Sequence, residues 1–463
     1  MLPAPLRRPK AFYQHLFALT LPIMLQNLIT TSLGFIDTFM VGLVGTNELS
    51  AVTAANSPIF FVQMVIFGLM SGLSVLASQY WGKEDVPAIN RTLGVALYVS
   101  FTVALIVAGT FFFASETVMS LVTNNQNLIA IGAPYLQIVA VGLVFNTLSS
   151  VYISMQRSTE NPAFGMQVFA VSMLLNTFLN YCLIFGHFGA PAMGVMGAAY
   201  ATLTSRIVEF VIVVVYVLTN HRVPLEPKLV FSPRKSAVVQ FFKHGLPVLA
   251  NETVWGLGTS MMVVIIGHMT SSADMLAAYA IIGNVDKIAI TICIGMANGS
   301  AVMIGKAIGE GQPHQTVQDL GKSLFAISVV GGCAVAAMLL TLLPLVFQPF
   351  LFPLFNLSAE ATAIATTMCI TFACVFPVRS YDFTSITGVL RAGGDIGMAF
   401  FIDVIPLWCF SIPLAALCAL VWDSPVWLVC LWIHGECLIK MPLGLWRFQT
   451  KKWIHNLTTE VAP

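Results

Sequence analysis

Residues 16–43 read LFALTLPIMLQNLITTSLGFIDTFMVGL, a run of 28 residues with one charge, Asp37, and one proline, Pro22. About 20 apolar residues at about 1.5 Å rise cross the hydrocarbon core of a bilayer, so this stretch spans it with tilt to spare. Asp37 follows Pro22 by 15 residues, which is roughly 22 Å along a helix. The acid therefore belongs to the outer part of the membrane, and the proline, a candidate hinge, to the inner part. A carboxylate at such a depth costs a few kcal/mol even on insertion scales and persists where it has a partner or a wet cavity. It is either locked into an interhelical hydrogen bond or it takes part in function, and its isolation favours function.

The rest of the chain has the same character. Of 463 residues 57% are hydrophobic and 9% charged, against about 25% charged in soluble domains. That balance excludes a soluble globular enzyme. The nine cysteines all fall in apolar spans and none has zinc-finger or CxxC spacing, so they read as small packing residues. The basic start MLPAPLRRPKAFYQH precedes an apolar run too long for a signal-peptide core, which marks an uncleaved first span. P-loop, Gly-x-Ser-x-Gly and HExxH patterns are missing, so the chain reads as neither an ATP-driven pump nor an enzyme. No cofactor and no nucleic-acid partner are indicated, and energy has to come from an ion gradient.

Hydropathy gives twelve spans, roughly 16–43, 51–80, 92–114, 127–155, 163–186, 194–219, 244–270, 276–305, 323–347, 359–390, 396–421 and 425–446. The expectation is an all-α integral membrane protein. Its divisions are an amino-terminal lobe over 1–219, a linker over 220–243, a carboxy-terminal lobe over 244–446 and a tail over 447–463. Alternate connections, counted from the amino terminus, hold 17 of the 21 Lys and Arg residues, and the other connections hold none. By the positive-inside rule both termini face the cytoplasm.

The two halves repeat. LPIMLQN at Leu21 matches LPVLANE at Leu246, and GLMSGLSVLASQYWGK from Gly68 matches GMANGSAVMIGKAIGE from Gly295. QRSTEN at Gln156 echoes LRAGGD at Leu390. With an even number of spans in each half the repeat is parallel, giving two pseudo-symmetric six-helix lobes, a plan common among transporters.

Besides Asp37 the spans hold Glu209, Glu252, Asp286, Asp382, Asp403 and Glu436. Arg206 with Glu209 and Arg379 with Asp382 are i,i+3, and Asp286 is beside Lys287, so these pairs read as partly self-neutralising. Glu252 and Asp403 have no local counter-charge; each needs a partner from another helix or a protonated state. Asn176 and Asn180 are i,i+4 on one face of the fifth span and serve either as hydrogen-bond partners of Asp37 or as ordinary interhelical glue.

At these residues the sequence resembles the multidrug and toxic compound extrusion (MATE) family. The resemblance is carried by FIDTFMVG with its upstream LP, NYCLIFG followed by GVMGAAYAT, LPVLANETVWGLG and GVLRAGGD. It implies a bacterial inner-membrane antiporter that works alone and exports amphipathic, often cationic organic compounds by alternating access. The coupling ion is read as a proton, with sodium as the alternative and a lipid-linked saccharide flippase as a more distant one. Asp37 matches the family's acid in span one, within a polar network to which Asn176, Asn180 and Thr202 map. Glu252 matches the acid of span seven; with Asp382, Arg379 and Asp403 it makes a candidate cation or proton site in the carboxy lobe. Some relatives carry a carboxylate at the position of Asn180, and the amide here argues against sodium in that lobe. Relatives with an acid in span ten have it at the position of Ser380, two residues before Asp382.

Overall fold

The computed structural model describes residues 4–219, 222–232, 234–269, 272–342, 346, 358–422 and 424–459. In lipid no water is available to the backbone, so an apolar chain pairs its own amides within helices. The long helices are α1 (Lys10–Gly42), α2 (Thr46–Gly82), α3 (Val86–Phe113), α4 (Gln126–Ser158), α5 (Pro162–Phe185) and α6 (Val195–Thr219). They continue as α7 (Lys235–Gly267), α8 (Ser272–Gly309), α9 (His314–Leu342), α10 (Ala359–Arg391) and α11 (Ile396–Val421). These eleven helices are long and apolar enough to cross a membrane.

The twelfth span is broken. Helices α12 (Val426–Ile433) and α13 (Glu436–Gln449) meet at 41°, within the span that the sequence alone places over 425–446. His434 and Gly435 form the break, and beside it the Trp432 carbonyl accepts from the Gly435 N–H at 3.3 Å and from Ser411 Oγ at 2.5 Å. Such partners are what keep an interrupted helix tolerable inside a membrane. The end of the ninth predicted span, 343–347, lies outside the described residues except for residue 346.

The linker is only partly a linker. A short helix, Pro227–Val230, lies on α3: a Cβ at Gly94 would come within 2.2 Å of the Val230 carbonyl oxygen, and Asn90 Nδ2 donates to the Pro224 carbonyl at 3.0 Å. Helix α7 already begins at Lys235.

Two compact units emerge, one of Leu25–Leu249 and one of Met1–Met24 with Ala250–Pro463. The boundaries fall two residues after Pro22 and two after Pro247, at equivalent places of the repeat, so α1 and α7 each contribute to both units. The repeated glycines follow from this. Within the Leu25–Leu249 unit, a Cβ at Gly68 would meet the Cα of Leu249 at 2.7 Å, and one at Gly72 the Cα of Gly245 at 2.6 Å. Within the other unit, a Cβ at Gly295 would meet the Cα of Met24 at 2.9 Å, and one at Gly299 the Cγ2 of Thr20 at 2.4 Å. Small residues four apart let two helices pack backbone to backbone where lipid supplies no hydrophobic drive.

The Leu25–Leu249 unit has its main apolar core among Met40, Val52, Ile59, Met119, Leu136 and Ala199. The other unit has two cores, one around Ile282, Met368 and Phe372 and one around Leu324, Val389 and Trp453. Its helices are less regular: π-helical turns occupy Ala336–Leu342, Thr384–Arg391, Leu407–Ser411 and Leu417–Val421. Such turns are rare and often mark functional or strained places.

Candidate functional site

In the Leu25–Leu249 unit, α1 carries Asp37, α5 carries Asn176 and Asn180, and α6 carries Thr202. The four side chains form one chain of contacts. Asn180 Nδ2 donates to Asp37 Oδ1 at 2.5 Å and also to Asn176 Oδ1 at 2.9 Å, while Asn176 Nδ2 donates to Thr202 Oγ1 at 3.3 Å. Both asparagines are fully buried, as the i,i+4 spacing on an inward face requires. Asn176 reaches Asp37 only through Asn180. Among the described residues no base forms an ion pair with Asp37; Arg206 acts on it from a distance and is itself bonded to Glu209 at 2.7 Å. Glu209 is fully buried and accepts from Asn146 Nδ2 at 3.2 Å and Ser172 Oγ at 3.1 Å as well, so that acid is bound into structure.

Tyr135 on α4 is a member of this site that sequence reasoning missed. It is buried, with Asp37 and Asn56 near its hydroxyl. The available signal was a phenol inside a span, since a buried hydroxyl needs a polar partner.

The second unit arranges its charges differently. Glu252 on α7 meets Arg391 at 2.5 Å, and Arg391 also lies 3.6 Å from Asp403 on α11. Asp403 takes Lys440 of α13 at 2.7 Å and the Asn251 amide at 2.7 Å. Both acids that lack a local counter-charge in the sequence thus find one on another helix.

Two pairings suggested by sequence spacing are corrected. Arg379 does not pair with Asp382 but grips Asp286 with two bonds of 2.6 and 3.2 Å. Asp286 in turn turns away from the exposed Lys287 towards that guanidinium and towards His434, 3.6 Å off. A bidentate arginine–carboxylate contact in a buried place outweighs an i,i+3 contact on a helix surface. Asp382 is left buried, its Oδ1 lacking any hydrogen-bond partner among the described residues. Glu436, also buried, accepts from Ser411 Oγ at 3.3 Å.

The doubled lobes agree with what comparison with known proteins finds. The MatE family matches residues 22–182 and again 248–417. The chain belongs to that family. Its relatives include a Bacillus subtilis protein named uncharacterized transporter YisQ, 24% identical over 97% of each chain. Another is the probable multidrug resistance protein NorM of Agrobacterium fabrum, 27% identical over 82% of this chain and 81% of that one. The fold is that of the Vibrio cholerae MATE transporter VcmN, solved as a mutant: the TM-score is 0.83 at 18% identity, covering 97% of this chain and 99% of the other. This MatE protein is therefore a multi-pass membrane transporter of small molecules and not an enzyme.

Proposed function

We propose that this transporter exports amphipathic, often cationic organic compounds in exchange for protons, as a monomer in the bacterial inner membrane. The observation that carries the reading is the contact between Asp37 and Asn180 in a setting where, among the described residues, no base pairs with the acid. An amide can hydrogen-bond a carboxylate or a carboxylic acid, so Asp37 can gain or lose a proton without stranding a neighbouring charge. A cationic substrate and a proton then compete for one carboxylate, and competition suffices for exchange. Loss of the charge also loosens the bond to Asn180, which lets α1 bend at Pro22. Relatives named as multidrug resistance proteins support the substrate class.

In this reading Glu252, Arg379 and Asp403 hold their lobe together through ion pairs, and Asp382 is the acid of that lobe that keeps an open oxygen for a proton. Sodium coupling is disfavoured by the neutral amide at Asn180. A saccharide flippase is disfavoured because Arg379, Arg391 and Lys440 already face carboxylates instead of offering free cations to a pyrophosphate. Cytoplasmic termini rest on the asymmetry of basic residues; labelling from outside the cell of a single cysteine placed at Arg234 would overturn that orientation.

The direct test is transport of a cationic dye in proteoliposomes under an imposed pH gradient and, separately, an imposed sodium gradient. A pH gradient alone is expected to drive accumulation. Drive by sodium alone would replace the proton, and drive by neither would remove the antiport reading.

A further inference from the structure

The repeat sets Arg157 opposite Arg391, since QRSTEN aligns with LRAGGD. Both arginines close a span on its basic-loop side, and both are buried, with 9% and 3% of their surface exposed. Their surroundings are opposite. Arg391 has Glu252 at 2.5 Å and Asp403 at 3.6 Å. Under the alignment of LPVLANE with LPIMLQN the counterpart of Glu252 is the neutral Asn27. Continuing the register of the second motif puts the buried Phe169 where the other half has Asp403. The amino half has the cation with neither counter-ion at the matching positions.

The contacts of Arg157 agree. Among the described residues its one hydrogen bond runs from Nη2 to Ser154 Oγ at 3.3 Å, and its Nε has no partner. No acidic side chain pairs with it there either; Glu160, nearby in sequence, accepts from Trp81 Nε1 at 3.1 Å. A guanidinium stays charged at any physiological pH, and a buried charge without a partner is strongly unfavourable. The Ser154 hydroxyl meets the guanidinium as an acceptor and gives its own proton to the Met70 carbonyl at 3.3 Å.

We propose that Arg157 is the anchor of an anion site that takes a phosphate oxyanion. The open Nε and its neighbouring Nη form the edge of the guanidinium fork that matches two oxygens at once. The position selects phosphate over other oxyanions: the last turn of a span on the basic-loop side lies at headgroup depth, where basic pockets between helices hold lipid headgroups. A phospholipid headgroup and free phosphate present the same atoms, and the test separates them. The inference stands apart from the export reading, because it concerns a ligand that completes the fold and not the exported compound.

The measurement is the thermal unfolding midpoint of the purified full-length protein, delipidated in neutral detergent. It is titrated with inorganic phosphate against a chloride control, and with short-chain phosphatidylglycerol. The wild-type midpoint is expected to rise by roughly 2–4 °C with one of the two probes. A rise with the lipid alone assigns a headgroup, and a rise with phosphate alone assigns the free ion. Arg157→Gln should show no rise. If it fails to fold, Asn27→Glu serves instead: it restores the counter-ion found in the other half, so it should raise the midpoint without any probe and abolish the response. An unresponsive wild type, or an undiminished response in the variant tested, overturns the site.

Discussion

Asp37 and Glu252 are both acids in proline-containing helices that are equivalent elements of the two halves, yet one is held by an amide and the other by a guanidinium. The difference decides what each can do. A carboxylate bonded to an amide loses little local balance when it takes up a proton. A carboxylate in an ion pair cannot, because protonation leaves a buried cation unmatched at a cost of several kcal/mol. At these two positions the proposed export mechanism gives the first acid a charge that can change and the second a charge held in place. A lone acid in a membrane span indicates function only until its partner is known.

The largest expected effect tests the amide-held side. Asp37→Asn preserves shape and an acceptor for Asn180 but cannot exchange a proton, and dye efflux should fall by about 100-fold or more, with expression and thermal midpoint close to the parent. That magnitude is comparable with removal of one essential proton-transfer group. Near-normal efflux in this variant would erase the distinction between the halves.

The ion-paired side should respond in stability before activity. Arg391→Gln strands Glu252 and weakens the hold on Asp403, and breaking a buried pair by removing one partner costs about 3–5 kcal/mol, read as a large drop in the unfolding midpoint. Glu252→Gln is the milder break, since Arg391 keeps Asp403 at 3.6 Å. Its export should fall only several-fold, in step with lost stability and without a change in pH profile. A shifted pH profile at parental stability would make Glu252 a coupling acid after all.

The sequence carried the span count, the repeat and the meeting of Asp37 with Asn180, because each depends on a local period or a single missing charge. Partner choice in the second unit was not legible. Arg379 has Asp382 three residues away in sequence, yet it binds Asp286, 93 positions away along the chain, because only packing brings α8 and α10 together. The break at His434 was hidden as well: the sequence shows His434, Gly435 and Glu436 inside a long apolar run but not the serine of α11 that bonds the Trp432 carbonyl. Gly68, Gly72, Gly295 and Gly299 were visible as a repeated pattern, whereas their purpose, close approach of a neighbouring backbone, needed the structure.

The division of α1 and α7 after their prolines has a consequence for how the chain is made. A ribosome finishes the Leu25–Leu249 unit as one continuous stretch, so that unit can assemble while synthesis is still under way. The part of α1 before Leu25 belongs to the other unit, and its Thr20 and Met24 pack against Gly299 and Gly295 of α8. The part of α1 ahead of Leu25 is therefore made before the unit it joins and waits until α8 has followed it into the membrane.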